Sequence, residues 1–296
     1  MTSSLERVAV AGGTHGNELT GVHLIRHWLS NPGEVQRDGF ATELHLVNPE
    51  AIEQVRRYVD QDLNRQFRID DLENPDLQGV EQRRAKALNA QLGPKQNPQV
   101  DFVIDMHTTT ANMGVSLLIN SGDPLVIETA FYVKQQMPRA TLFHDPRDRL
   151  ADSSFRSMGR LGGLGIEVGP VPQGLLHYRT CAETREAVAH ALDYLARKNA
   201  GTADPVPERM EGYRFLEKVP FPVDARGEIA AMIHPDLQDG DYREIRPGDP
   251  LFLSLSGEQV AYEGDRPVFG AFINEAAYYD KQIGLSLMEK VTIRPE

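Results

Sequence analysis

Apolar and polar positions in the first two thirds of the chain alternate between two periods. Short β-branched runs are followed by longer stretches in which apolar residues recur every three or four positions. Arg7-Val-Ala-Val-Ala11 reads as a strand that ends at Gly12-Gly13. Leu19, Val22, Ile25 and Leu29, with Leu24 and Trp28 beside them, form an apolar helical stripe that Asn31-Pro32-Gly33 stops. The spacing predicts further strands over 43–47, 100–106, 115–119 and 164–168. It predicts helices over 81–92, 124–136 and 180–198, with Gly93-Pro94 ending the first and Pro124 opening the second. Strands alternating with helices in this way predict an α/β layer fold with a largely parallel or mixed sheet.

After Ala200 the texture changes. Gly201 to Pro207 is a small-residue, proline-containing stretch of the kind that separates domains. Beyond it come short β-type runs over 213–216, 228–233, 250–255 and 267–273. Turn sequences such as Arg246-Pro-Gly-Asp-Pro250 and Ser256-Gly-Glu258 separate them. The expected organisation is an α/β domain over residues 1–203 and a β-rich subdomain over 204–296. There is no internal repeat.

Charge and cysteine content narrow the function classes. Against 31 Lys and Arg stand 43 Asp and Glu, a net charge of −12, which argues against a nucleic-acid or anionic-membrane binder. The longest apolar runs, such as Val8 to Ala11, fall far short of the ~20 residues that a membrane span requires. Cys181 is the single cysteine, so neither an internal disulfide nor a Cys-rich metal site is available. Residues 1–10 lack the basic-then-apolar pattern of an export signal, and the expected location is the cytoplasm.

The most informative segment is Gly12-Gly-Thr-His-Gly-Asn-Glu-Leu-Thr-Gly21. It lies where the first strand hands over to a helix, the edge of an α/β sheet at which ligands bind. His15 and Glu18 are three apart, so a turn can aim both at one point. His107, at the end of the apolar strand Phe102-Val-Ile-Asp-Met-His107, is the natural third ligand. Two histidines and a glutamate form one ligand set of catalytic zinc. A lone histidine is more often a surface or hydrogen-bonded core residue; the combination reverses that preference. The segment lacks the lysine of a P-loop and the glycine spacing of a dinucleotide site. Asp105 points to the same side of its strand as His107, either orienting it or serving as an exposed or capping carboxylate.

Five motifs occur in order: Gly-Gly-Thr-His-Gly-Asn-Glu, Asp62-Leu-Asn-Arg65, the strand ending in His107, Gly165-Ile-Glu-Val-Gly-Pro170 and Asn274-Glu-Ala-Ala-Tyr-Tyr279. With Pro172-Gln-Gly174 and His234-Pro-Asp-Leu-Gln-Asp239, the ordered set spans nearly the whole chain. It resembles the aspartoacylase and succinylglutamate desuccinylase family of zinc carboxypeptidase-like hydrolases. The resemblance implies a mixed sheet flanked by helices, capped by the β-rich portion. It also implies one zinc ion per subunit, hydrolysis of N-acetyl-L-aspartate to acetate and L-aspartate, and a homodimer. By the family pattern, His15, Glu18 and His107 hold the zinc, and Glu167 is the general acid/base. Arg57 polarises the scissile carbonyl, while Asn64, Arg65, Arg156 and Tyr278 hold the substrate carboxylates.

The residue chemistry suits these roles. Glu167 ends an apolar strand, where partial burial makes a carboxylate a better base; a paired structural carboxylate is the alternative. Arg56, Arg57 and Arg65 cluster in an otherwise acidic chain, and planar guanidiniums recognise carboxylates in pairs. A solvated surface role suits Arg56. Arg156 favours an acidic side chain on the substrate, whereas Asp152 departs from a family tyrosine and would repel a carboxylate. Cys181 and His177 are left without chemistry, and Glu275 is read as a brace for the C-terminal loop. The alternatives are a deacylase for N-succinylglutamate or N-acyl aromatic amino acids, and an inert protein that binds metal or acidic ligands.

Overall fold

The computed structural model describes residues 4–145 and 152–295. β1 (Arg7–Gly12) passes through the glycine-rich turn into α1 (Leu19–Ser30). There follow β2 (Ala41–Leu46), the short helices α2 (Pro49–Glu53) and α3 (Ile69–Glu73), then α4 (Val80–Leu92), β3 (Phe102–Thr108) and β4 (Gly114–Ile119). The α/β portion finishes with α5 (Pro124–Gln136), β5 (Thr141–His144), β6 (Gly163–Gly169) and α6 (Tyr178–Asn199). The remainder is β-rich: β7 (Met210–Pro220), β8 (Met232–Ile233), β9 (Glu244–Ile245), β10 (Pro250–Leu253), β11 (Gln259–Ala261), β12 (Val268–Ala271) and β13 (Ile283–Ile293).

Ten strands form one mixed sheet in the order β2-β1-β3-β6-β4-β5-β7-β13-β12-β9. The pairs from β2 to β6 are parallel, β6 and β4 run antiparallel, and β4, β5 and β7 are again parallel. Strand alternation sorts the core onto two faces. Val8, Val10 and Ile104 pack with Ile25 and Trp28 of α1, Phe131 of α5 and Leu192 of α6. Ala9, Ala11 and Val103 face the other way, against Leu88 and Leu92 of α4 with Phe67 and Phe155.

β5 pairs with β7, Phe143 opposite Tyr213, so the sheet runs without a break into the C-terminal part of the chain. A three-stranded sheet, β11-β10-β8, packs against the C-terminal strands of the large sheet through a shared core that includes Phe221, Ile233, Phe252 and Leu285. The run expected over 228–233 narrows to β8; before it, Ile229 makes only an isolated bridge to Val223 across a turn in which the Asp224 carboxylate takes the N–H groups of Arg226 and Glu228. Among the described residues, no helix is long and apolar enough to cross a membrane.

Parallel register places the ends of three strands side by side. Gly12 lies opposite Met106, and His107 lies opposite Glu167. This is the carboxyl edge of the sheet, where open α/β folds bind ligands.

Candidate active site

The turn after β1 is shaped by glycine. Gly13 has φ +72°, a conformation that L side chains rarely adopt. A Cβ on Gly16 would lie 2.1 Å from the Ala51 carbonyl carbon, so only glycine lets the turn approach α2. Glu18 then occupies the N-cap position of α1 but makes no capping bond with its side chain. Its carboxylate turns inward instead. Oε1 lies 2.6 Å from His15 Nδ1, and Oε2 lies 2.9 Å from His107 Nδ1 and accepts the Thr108 N–H at 3.1 Å.

One donor atom from each of His15, Glu18 and His107 lies within 4.8 Å of the others, and all three residues are buried. The far nitrogen of each imidazole meets a carboxylate: His15 Nε2 is 3.1 Å from Asp62 Oδ1, and His107 Nε2 is 2.8 Å from Asp105 Oδ2. A carboxylate behind each histidine fixes the ring and leaves Nδ1 facing the cluster, as at metal-binding histidines. Asp105 is therefore an orienting group rather than an exposed or capping one. It also accepts the Thr14 hydroxyl at 2.7 Å, tying the two histidine-bearing segments together.

Electrostatics follow from burial and charge. Burial would raise the Glu18 carboxyl, yet His15 and His107 outweigh it and hold the carboxyl well below its usual range. Burial would lower the His107 imidazole, but Asp105 and Glu18 drive it well above the ordinary histidine value. Glu167, across the β3–β6 register from His107, behaves oppositely. Burial pushes it up to about 8, with Glu18 and Glu275 adding to the effect and His107 and Arg57 opposing it.

A cavity of about 90 Å³ opens beside the cluster, enough for a small molecule or several waters. His15, His107 and Glu167 line it together with Arg57, Asn64, Arg65, Arg156 and Tyr278, so every site residue read from the sequence reaches the cavity or the Glu18 cluster. Arg57 reaches Glu18 Oε1 at 3.2 Å and Asp62 Oδ2 at 3.4 Å, whereas Arg56 is exposed. Asn64 Oδ1 accepts the Phe155 N–H at 2.8 Å, which locks the Asp62–Arg65 turn to the segment carrying Arg156. Arg156 is buried and donates to Asn120 Oδ1 at 2.7 Å. Its Nε and Nη1 have no hydrogen-bond partner among the described residues.

Several contributors escaped the sequence reading. Lys218 of β7 lines the cavity with its ammonium 4.0 Å from the centre of the Tyr278 ring. Phe143, Phe215 and Phe272 add an aromatic wall. Periodicity flags such residues only as core. Asp152 does not line the cavity; its carboxylate lies 2.7 Å from Lys95 Nζ, so the anticipated repulsion is answered by a local ion pair. Glu275 does brace the C-terminal loop, accepting the Thr110 N–H at 2.7 Å and the Ala277 N–H at 2.9 Å. His177 is exposed at the start of α6, and Cys181 Sγ lies 3.9 Å from the Thr20 hydroxyl oxygen.

A buried His-Glu-His cluster at the carboxyl edge of an α/β sheet is an arrangement that could hold a metal ion. Residues 4–195 match the succinylglutamate desuccinylase/aspartoacylase catalytic domain, and residues 208–290 match the AstE/AspA barrel-sandwich hybrid domain. The chain belongs to the aspartoacylase and succinylglutamate desuccinylase family and is a hydrolase of that family. It is 39% identical to the aspartoacylase of Rattus norvegicus over 98% of this chain and 94% of that one. It is 43% identical to the N-acyl-aromatic-L-amino acid amidohydrolase of Homo sapiens, over 97% and 92% of the two chains. The crystal structure of murine aminoacylase 3 superposes with a TM-score of 0.93 at 42% identity, covering 99% of this chain and 98% of that one.

Proposed function

We propose that this protein is a zinc-dependent deacylase that hydrolyses N-acetyl-L-aspartate to acetate and L-aspartate. The observation that carries the reading is the convergence of His15, Glu18 and His107 donor atoms beside the buried Glu167, in a cavity lined by Arg57, Arg65 and Arg156. Two nitrogens and a carboxylate oxygen, with each imidazole braced from behind, suit a catalytic zinc. When bound there, zinc supplies Lewis acidity and an acidified water.

The chain supplies the rest. Glu167 takes the proton from the attacking water and returns it to the departing amine nitrogen. Arg57 donates to the carbonyl oxygen as negative charge develops on it. Asn64, Arg65 and Tyr278 hold one substrate carboxylate, and Arg156, whose guanidinium lines the same cavity, reads the side-chain carboxylate. Residues 1–203 act as the catalytic domain, and 204–296 cap it by delivering Tyr278. A cytoplasmic homodimer fits the single cysteine and the family.

The Phe143, Phe215 and Phe272 wall favours a second reading, a deacylase for N-acyl amino acids with bulky apolar groups. Acetate release from a panel of N-acetyl amino acids separates the two. A higher kcat/KM for N-acetylaspartate than for N-acetylphenylalanine or N-acetylleucine supports the first reading; the reverse order replaces it with the second.

A further inference from the structure

The segment from Glu53 to Gln61 carries Arg57 and leads into Asp62, yet none of its residues is buried. Apolar packing therefore does not fix it. What meets it instead is Glu81, a fully buried carboxylate in the first turn of α4. Glu81 Oε1 accepts the Val59 N–H at 2.7 Å and the Asn48 amide at 3.2 Å. Its Oε2 accepts the Asp60 N–H at 2.9 Å and the Gln61 N–H at 3.1 Å. Three consecutive peptide donors thus close on one side chain. The clasp is reciprocal, because Asp60 Oδ2 accepts the Val80 N–H at 2.7 Å.

The same loop is joined to the metal-binding turn. Gly16 N–H donates to the Arg57 carbonyl at 3.2 Å, and Asn48 N–H donates to the Gly13 carbonyl at 3.1 Å. Glu81 therefore stands behind a short relay: its carboxylate holds residues 59–61, and the flanking residues present Arg57 to Glu18 and Asp62 to His15.

We propose that Glu81 is a positioning residue for the active site, holding the Arg57 guanidinium and the Asp62 carboxylate in register with the His15-Glu18-His107 cluster. Only its kinetic consequence rests on the deacylase reading; its effect on metal binding does not. A carboxylate is required because two acceptor oxygens must serve four donors, and glutamine offers one oxygen and an amide that opposes the Asp60 and Gln61 N–H groups.

The test compares wild-type protein with Glu81→Gln and Glu81→Ala by zinc affinity, measured in competition with a chromophoric chelator, and by steady-state acetate release. The expected result is a zinc dissociation constant weakened about tenfold, through loss of the group that orients His15. The kcat should fall about 10- to 100-fold with KM held within about threefold, as a misplaced electrophile affects turnover more than binding. On an Arg57→Ala background, the Glu81→Gln factor in kcat should shrink towards one. A folded Glu81→Gln variant with wild-type zinc affinity and kcat overturns the proposal, even if its melting temperature drops, because Glu81 would then support only the fold. A Glu81→Gln factor undiminished on the Arg57→Ala background overturns it as well. Should Glu81→Ala fail to fold, Glu81→Gln decides. Should the wild type cleave no N-acyl amino acid, the deacylase reading fails and zinc affinity alone decides the role of Glu81.

Discussion

Replacing Glu167 by glutamine separates what this side chain does for turnover from what it costs the fold. Burial lifts the carboxyl from its ordinary 4.5 to about 8 in the metal-free protein. Between those values the folded chain keeps a proton that the unfolded chain has released. The unfolding free energy should therefore fall as pH rises from about 4.5 to about 8, and level off above. A tenfold difference in proton affinity between the two states corresponds to about 1.4 kcal/mol, so the whole window is worth at most about 4–5 kcal/mol. Glutamine has no proton to lose, so Glu167→Gln should flatten this part of the profile and gain a few kcal/mol over wild type at about pH 8. Turnover of zinc-loaded protein should move the other way, down about 10²- to 10⁴-fold with the loss of the general base. Urea unfolding of both zinc-free proteins across this pH range isolates the residue by difference, and acetate release reports its chemistry. Parallel stability curves would show that Glu167 does not titrate in this range. A kcat within about tenfold of wild type would show that it is not the base.

Two further substitutions probe substrate reading and metal binding. Arg156→Met should lower kcat/KM for N-acetylaspartate by about 30- to 1000-fold, as expected when one partner of a buried charge pair is removed. It should leave neutral N-acetyl amino acids within about threefold, and an equal loss on both would deny Arg156 a role in selectivity. Asp105→Asn removes the charge behind His107 while keeping an oxygen able to accept from Nε2. Zinc affinity measured by chelator competition should weaken about 10- to 100-fold, and an unchanged affinity would contradict the orienting role.

Local chemistry made much of the α/β portion legible. The helix expected over 124–136 occupies those residues, with Pro124 in its first turn and the Asp123 side chain capping the Leu125 N–H. The helix expected over 180–198 extends only to Tyr178 and Asn199 at its ends. What the pattern did not reveal was created by pairing across the sheet. β5 is four residues long, and β13 is paired by β7 over most of its length and by β12 on its other side. Cavity residues divide the same way. His15 and Glu18 share one turn and could be read together, but Asp62 reaches His15 from 47 positions away. Lys218 and Phe215 arrive from β7, where their local sequence resembles any amphipathic strand. Asp105 was visible as a strand neighbour of His107, and only the fold placed its second oxygen on Thr14.

The proposed chemistry requires one divalent cation, held by His15, Glu18 and His107, for cleavage of an N-acyl amino acid. Metal analysis of the purified protein, coupled to acetate release from N-acetylaspartate before and after chelation, tests that requirement without any substitution. About one zinc per chain, loss of turnover on chelation and its return when zinc is restored are expected. Equal turnover by chelated and zinc-loaded protein would contradict it.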